Sequence, residues 1–376
     1  MFKNLTAVGS RYVREFSGGS WGGQSWPTLG RLFRPTESAP SVIAHAPTDV
    51  FFTPDSILQD PSGYQSWQCN GRRRYGTCSG VAWFHENYVA TTNLLGNVIH
   101  TYRVSRPPGE GQGAVTLLQT LHNAPTIEKP ENIAFSPDGR FAAITDMGPG
   151  DVKILSVDPE THLLSTSPIA RVGGEDRTAH GVAFSKCGRF LAYTTIDKPG
   201  VIRLFRFEVE EEGVSIKIEP FQVFENSLHP LVPKGIDFSI RDDFVAVCYA
   251  PNTTQKSIRD RRGCLVTYAF SSQTGIDTKP ISRSGRRHDL RFPEDVSLMR
   301  SDRNAILTQQ GDDTARVVEI DPATGVIGRY VETLRNPDAR LSFPHGVGVS
   351  ADGRYAAVTS YGDDKFGIYR LVLPDL

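Results

Sequence analysis

A repeated unit runs through the 376-residue chain and constrains its fold more than any other feature. Six segments share one order: a small or polar residue, a short apolar run, a turn and a second apolar run. Apolar runs that flank a turn such as Asp-Gly predict a β-hairpin. The segments are SGVAWFHENYVATT, ENIAFSPDGRFAAITD, HGVAFSKCGRFLAYTT, KGIDFSIRDDFVAVCY, EDVSLMRSDRNAILTQ and HGVGVSADGRYAAVTS, starting at Ser79, Glu131, His180, Lys234, Glu294 and His345.

The spacing of these starts, 49 to 60 residues, distinguishes between repeat architectures. Helical solenoid repeats are about 33–47 residues long, whereas a four-stranded propeller blade with generous loops fits the longer period. Each unit continues with a third apolar strand, and several continue with a weaker fourth. A single sheet of this kind needs a neighbour to cover its face, and closure into a ring supplies one at both ends.

The sequence therefore predicts an all-β propeller of four-stranded antiparallel blades over residues 41–376. Residues 1–40 are predicted to be an N-terminal extension packed on it. Because the last unit stops after its third strand, we expect an N-terminal strand to complete that sheet. A degenerate blade before Ser79 would bring the total to seven, which we favour, and six blades is the alternative.

Composition excludes several functional classes. The formal net charge is −1, which argues against a nucleic-acid partner attracted by bulk charge. No stretch approaches the roughly 18 apolar residues of a membrane helix, and the start lacks the apolar core of a secretory signal. Five cysteines, an odd and sparse count, predict a reducing compartment and a cytoplasmic location. Free thiols are predicted at Cys69 and Cys78, and a bridge between these two across a short loop is the alternative.

Two units, PENIAFSPDGRFAAITDMGPGDVKILSVDPET and FPHGVGVSADGRYAAVTSYGDDKFGIYRL, resemble the lactonase-like propellers. That family includes 6-phosphogluconolactonase-type proteins and the fungal carboxymuconate cyclase. The resemblance covers roughly residues 79–372 and implies a seven-bladed, mostly metal-independent propeller that acts on small carboxylated or phosphorylated lactones. It specifies the fold better than the activity, because similar units occur in propellers without catalytic roles.

The first residue of each inner strand should point toward the propeller axis at one end of the channel. Aligning the six units places Ser79, Glu131, His180, Lys234, Glu294 and His345 there. Two imidazoles and two carboxylates converging on one axis suit proton transfer. We therefore predict His180, His345, Glu131, Glu294 and Lys234 as catalytic, against the simpler interpretation that strand starts at a solvated mouth are merely polar.

A metal ion is the alternative use of these side chains. Two imidazoles and two carboxylates can bind a divalent metal. Because the resembled family works mostly without metal, the prediction is no cofactor. If a metal is present, its ligands are predicted to be His180, His345, Glu131 and Glu294.

Arginine clusters occur in loops that should lie at the same end of the channel as the ring. The planar guanidinium suits carboxylate or phosphate, so these clusters predict a mouth that binds a small anionic substrate. The predicted substrate-binding residues are Arg74, Arg261, Arg262, Arg286 and Arg287.

Two functions remain open from sequence. The first is a lactone hydrolase or cycloisomerase that works at the His/Glu ring by acid–base chemistry. The second is a non-catalytic propeller scaffold that binds a protein partner or an anionic ligand on the face carrying the long loops.

Overall fold

The computed structural model describes residues 58–59, 66–68, 78–105, 114–122, 126–174, 178–197, 199–210, 216–225, 227–228, 230–251, 262–335, 341–362 and 364–371. These residues form six antiparallel sheets and a short 3-10 helix, Arg286–His288. The predicted extension over residues 1–40 lies outside them.

The first three complete blades each contain four consecutive strands, in the order in which the chain presents them. Their strands are β3 (Cys78–Phe84), β4 (Tyr88–Asn93), β5 (Val98–Ser105) and β6 (Ala114–His122); β7 (Pro130–Phe135), β8 (Phe141–Asp146), β9 (Asp151–Ser156) and β10 (Ala170–Gly173); and β11 (Ala179–Phe184), β12 (Phe190–Thr195), β13 (Val201–Val209) and β14 (Ile216–Glu225).

The next two blades repeat this plan, and the last is shared between the two ends of the chain. Their strands are β15 (Leu231–Phe238), β16 (Phe244–Pro251), β17 (Cys264–Ser271) and β18 (Gly275–Arg283); β19 (Pro293–Leu298), β20 (Asn304–Gln309), β21 (Thr314–Ile320) and β22 (Ile327–Arg335); and β23 (Pro344–Val349), β24 (Tyr355–Ser360) and β25 (Lys365–Leu371) with β1 (Leu58–Gln59) and β2 (Ser66–Gln68).

The inner strands encircle one axis. Strands β3, β7, β11, β15, β19 and β23 contact one another in that order, and β23 contacts β3. Strands β1 and β2 pair with β25, so an N-terminal strand completes the last sheet as predicted. The all-β propeller of four-stranded blades is confirmed, and the described residues close its ring with six blades, the alternative count.

In four of the six inner strands a glycine follows the residue predicted to point toward the axis, and it allows neighbouring strands to approach closely. A Cβ atom at Gly181 would lie 2.3 Å from the carbonyl oxygen of Lys234. A Cβ atom at Gly346 would lie 2.5 Å from the carbonyl oxygen of Ser79. Both distances are far below a normal van der Waals contact, so the tight ring depends on glycine at these positions.

A buried threonine near the end of the second strand joins each blade to the next in five of the six blades. Thr145 Oγ1 accepts a hydrogen bond from the amide of Asn132 at 2.9 Å and donates one to the carbonyl of His180 at 2.6 Å. Thr92, Thr194, Thr308 and Thr359 make equivalent bonds to the carbonyls of Glu131, Lys234, His345 and Ser79. Each bond therefore fixes the backbone of one of the residues predicted to point toward the axis.

Apolar clusters fill the space between adjacent sheets. One cluster joins the third and fourth blades and includes the buried side chains of Phe190, Phe238 and Tyr249. The Tyr249 hydroxyl lies 3.0 Å from that of Tyr268, so this buried polar pair is satisfied within the cluster. Such clusters hold the sheets at fixed angles around the axis and so define the positions of the inner strands.

The cysteines differ in part from the prediction. Cys78 is disulfide-bonded, so a free thiol there was wrong, and Cys69 lies outside the described residues. Cys187, Cys248 and Cys264 are free. A disulfide weakens the argument from cysteine count for a reducing compartment, and the cytoplasmic location stays a prediction. The described residues include no helix of the length and apolarity needed to span a membrane.

Candidate functional site

The six predicted ring residues converge on the propeller axis. Each occupies the equivalent place near the start of its inner strand, and each is at most 3% exposed. His180 and His345 lie on opposite sides of the axis, with ring centroids 5.5 Å apart and planes inclined by 27°. The ring residues are Ser79, Glu131, His180, Lys234, Glu294 and His345.

Four of these side chains form a mutual contact that we call the quartet: Glu131, His180, Glu294 and His345. His180 Nε2 lies 3.2 Å from Glu131 Oε1 and 2.9 Å from Glu294 Oε1. His345 Nε2 lies 3.0 Å from Glu131 Oε1 and 3.4 Å from Glu294 Oε1. Each imidazole therefore faces both carboxylates, and each carboxylate faces both imidazoles.

The two other ring residues each contact one carboxylate of the quartet. Lys234 Nζ donates to Glu294 Oε1 at 2.9 Å, and the Ser79 hydroxyl donates to Glu131 Oε2 at 3.2 Å. Lys234 Nζ also lies 5.4 Å from the ring centre of Phe292, a cation–π distance. The side chains predicted to act together are thus within direct reach of one another.

The quartet shifts the pKa values of its two imidazoles in opposite directions. Burial and the Lys234 ammonium lower the pKa of His180 below its ordinary value. Burial also opposes a charge on His345, but the Glu131 carboxylate outweighs it and raises the pKa of His345. The pKa values of Glu131 and Glu294 are lowered despite burial, by His345 for the first and chiefly by Lys234 for the second. One imidazole is therefore favoured as cation and the other as neutral base.

An apolar layer covers the ring, which differs from the open, solvated mouth expected from the sequence. Tyr361 stacks on His345 with centroids 5.2 Å apart, and Phe292 lies beside Lys234. Both belong to a buried cluster built from turns and strand starts at this end of several blades. The cluster contains Leu94, Met147, Ile196, Val232, Ala250, Phe292, Phe343 and Tyr361.

Two polar residues next to the quartet were missed by the sequence analysis. Asn132 and Asp295 directly follow Glu131 and Glu294, at the position where the other four blades have glycine, and Asn132 Nδ2 donates to Asp295 Oδ2 at 3.4 Å. Burial raises the pKa of Asp295 to about 7. Both line an axial cavity of about 140 Å³ that extends away from the apolar layer. The departure from glycine at this position is the sequence signal that would have identified them.

The structure describes only part of the predicted arginine set. Arg74, Arg261 and the side chain of Arg287 lie outside the described residues. The side chain of Arg262 is 57% exposed and lies 3.1 Å from Asp289, which also pairs with Arg291. A shared carboxylate offsets part of this positive charge, and substrate binding by the five arginines stays a prediction.

Comparison with known proteins supports the fold. No protein-family model matches the chain, and no curated protein matches its sequence. Among solved structures, a "putative 6-phosphogluconolactonase" from Bacteroides uniformis has a TM-score of 0.54 at 12% identity, covering 85% of this chain and 89% of its own. A protein of the same description from Bacteroides fragilis has a TM-score of 0.53 at 12% identity, covering 85% and 92%.

Another structure with the same fold belongs to a different functional context. A chain from the crystal structure of the mitotic checkpoint complex has a TM-score of 0.51 at 11% identity, covering 91% of this chain and 93% of its own. The resemblance to lactonase-like propellers is therefore confirmed as a likeness of fold. At such identities the fold leaves the activity open, and the function has to be argued from the quartet itself.

Proposed function

We propose that this protein is a lactonase-like enzyme that opens or closes the ring of a small carboxylated or phosphorylated lactone at the quartet. The observation that supports this proposal most is the placement of two imidazoles against the same pair of buried carboxylates. Their opposite pKa shifts divide them into an acid and a base. Two titratable groups whose environments separate their pKa values are a recurring sign of acid–base assignment.

In the hydrolytic direction, neutral His180 takes a proton from water, and the resulting hydroxide attacks the lactone carbonyl. Cationic His345 then gives a proton to the ring oxygen as the carbon–oxygen bond breaks. Glu131 and Glu294 hold the imidazoles in orientation, and Lys234 stabilises the negative charge that develops on the carbonyl oxygen. In a cycloisomerase the substrate's own carboxylate adds to a carbon–carbon double bond, and cationic His345 gives its proton to the other carbon of that bond, so the ring closes without release of water.

The apolar layer covers the quartet at one end of the channel, so a substrate has to reach it from the other end. On the other side, Asn132 and Asp295 line the axial cavity, and we propose that the substrate reaches the quartet from there. An acid with a pKa near 7, such as Asp295, keeps a substantial protonated fraction at neutral pH and can then donate a hydrogen bond to a substrate oxygen.

A panel of lactones, including gluconolactone, 6-phosphogluconolactone and muconolactone, tests this function by the release or uptake of acid at constant pH. We expect turnover of at least one lactone and a loss of about 100-fold or more in His180→Gln and His345→Gln. His162→Asn, a change in a histidine on a distant turn, is the control and should keep full activity. Absence of turnover across the panel, or full turnover in both quartet variants, would contradict the proposal.

Burial of the quartet favours a second candidate function, the non-catalytic scaffold. Side chains that bind no substrate can be fully buried, as the quartet side chains are. In that case the quartet contributes to stability alone, and a protein or anionic ligand binds elsewhere on the propeller. His345→Gln would then lower the unfolding temperature without altering binding of that partner.

A further inference from the structure

The donor atoms of the quartet are arranged as a coordination shell. The Nε2 atoms of His180 and His345 and one carboxylate oxygen each from Glu131 and Glu294 all lie within 4.8 Å of one another. Between neighbours the distances are 2.9, 3.0, 3.2 and 3.4 Å. A tetrahedral ion with bonds of about 2.0–2.1 Å has its ligand atoms about 3.3 Å apart. The neighbouring distances already fit such an ion, and the more distant pairs, within 4.8 Å, would have to move closer together when it binds.

A second observation separates this arrangement from an ordinary hydrogen-bonded cluster. Glu131 Oε1 is fully buried, and two imidazole nitrogens from opposite sides of the axis lie 3.0 and 3.2 Å from this one oxygen. A carboxylate oxygen placed in this way beside two nitrogens has the relation of one metal ligand to its neighbours.

We propose that the quartet binds one divalent transition-metal ion of the zinc class. Two imidazole nitrogens and two carboxylate oxygens favour Zn²⁺ or a similar ion over Mg²⁺ and Ca²⁺, which prefer shells of oxygen alone. The four ligands come from four different inner strands, so the ion would also tie four blades together at the axis.

Lys234 lies beside this site and affects how tightly an ion binds there. It donates to Glu294 Oε1, while Glu294 Oε2 is buried and has no hydrogen-bond partner among the described residues. When an ion takes Oε1, the ammonium can move to Oε2 and stay paired. Two carboxylates balance the ion, so the charge of Lys234 is in excess and weakens binding. Lys234→Met, which removes the ammonium and keeps an unbranched side chain of similar size, should therefore tighten binding of the ion.

The inference goes beyond the proposed function. A bound ion occupies both imidazoles and both carboxylates of the quartet, so the acid–base centre and the metal centre are alternative states of the same four side chains. The experiment therefore measures ion binding and lactone turnover separately.

The full chain is purified, stripped with a chelator, and titrated with Zn²⁺ alone in a calorimeter, with elemental analysis after dialysis. We expect one equivalent. Glu131→Gln and His345→Gln should weaken binding by more than about 100-fold, since even outer-shell changes cost about 10–100-fold. Lys234→Met should bind more tightly, and His162→Asn should bind as the wild type does. Less than about a tenth of an equivalent on the wild-type chain, or unchanged binding in both quartet variants, overturns the proposal.

A spectroscopic measurement keeps the test valid if a quartet variant fails to fold. Co²⁺ is bound to the wild-type chain, and X-ray absorption at the metal edge counts its imidazole ligands. Two imidazoles in a four-coordinate shell support the site, and a shell without imidazole overturns it. Lactone turnover by the stripped chain without Zn²⁺ binding would refute the metal site and leave the proposed function standing. Zn²⁺ binding without turnover in either the stripped or the loaded chain would support the metal site and refute the proposed function.

Discussion

Thr145→Val measures how much the buried threonines that bond one blade to the next, which we call the threonine bridges, contribute to the free energy of unfolding. Thr145→Val keeps the shape of the side chain and removes the hydroxyl. The amide of Asn132 and the carbonyl of His180 then lose their partner in a buried place. Each buried group left unpaired costs about 1–3 kcal/mol, so the free energy of unfolding should fall by about 3 kcal/mol.

The chain offers a matched control for this change. Thr101 is 1% exposed, as buried as Thr145, but its hydroxyl has no hydrogen-bond partner among the described residues. Thr101→Val should not lower the free energy of unfolding and should raise it by about 1 kcal/mol, because a buried hydroxyl without a partner is replaced by a methyl group. Urea unfolding followed by circular dichroism measures both variants under one set of conditions.

The difference between the two variants shows whether the hydrogen bonds of Thr145 contribute to stability. If Thr145→Val and Thr101→Val destabilise equally, the bridge contributes nothing beyond the burial of a methyl group. A Thr145→Val protein within about 0.5 kcal/mol of the wild type would likewise refute the bridge. Because Thr145 bonds to the backbone of His180, the variant should also weaken whatever the quartet binds, a result that a remote destabilising change would not produce.

Three further predictions concern stability. Cys248 occupies the threonine position in the fourth blade, so Cys248→Thr should add a bond to the carbonyl of Glu294 and about 1 kcal/mol in urea unfolding. Gly181→Ala should cost about 3 kcal/mol or more in the same assay, because its Cβ meets the next strand, whereas Gly285→Ala, with open space around it, should cost far less. Burial raises the pKa of Asp302 from 3.8 to about 6, so its contribution to stability is present below about pH 4 and lost as pH rises to about 6. Asp302→Asn should therefore stabilise by about 1 kcal/mol after solvent screening at pH 7 and by nothing at pH 4 in thermal unfolding, and equal effects at both pH values would contradict this.

The repeat was sufficient to predict which residues meet at the axis. Units that align in sequence occupy equivalent places in a ring, so the residue that each inner strand points toward the axis could be assigned before any coordinates. Alignment also shows that Cys248 occupies the position that is threonine in the other five units. The hydrogen bonds that these threonines make become visible only when adjacent blades are in contact. The number of blades was harder, because it depends on strands β1 and β2 pairing with β25 at the other end of the chain.

Burial of the ring could not be predicted in the same way. The residues that cover it, such as Leu94, Met147 and Phe343, come from turns and strand starts that differ in length between blades. Each is an ordinary apolar residue in its own unit. Only closure of the ring brings them together into a layer, so no single repeat carries the signal.

Burial has a consequence for the charge that the quartet must hold. Two carboxylates and the Lys234 ammonium leave one negative charge in a place where an unbalanced charge is costly. A proton on His345, whose pKa is raised by Glu131, restores neutrality, and a divalent ion reverses the sign of the imbalance instead. The proton and the ion therefore both offset the negative charge of the quartet, and the charge of Lys234 determines which of them leaves the smaller net charge. Removing its charge with Lys234→Met should shift the preference from the proton toward the ion.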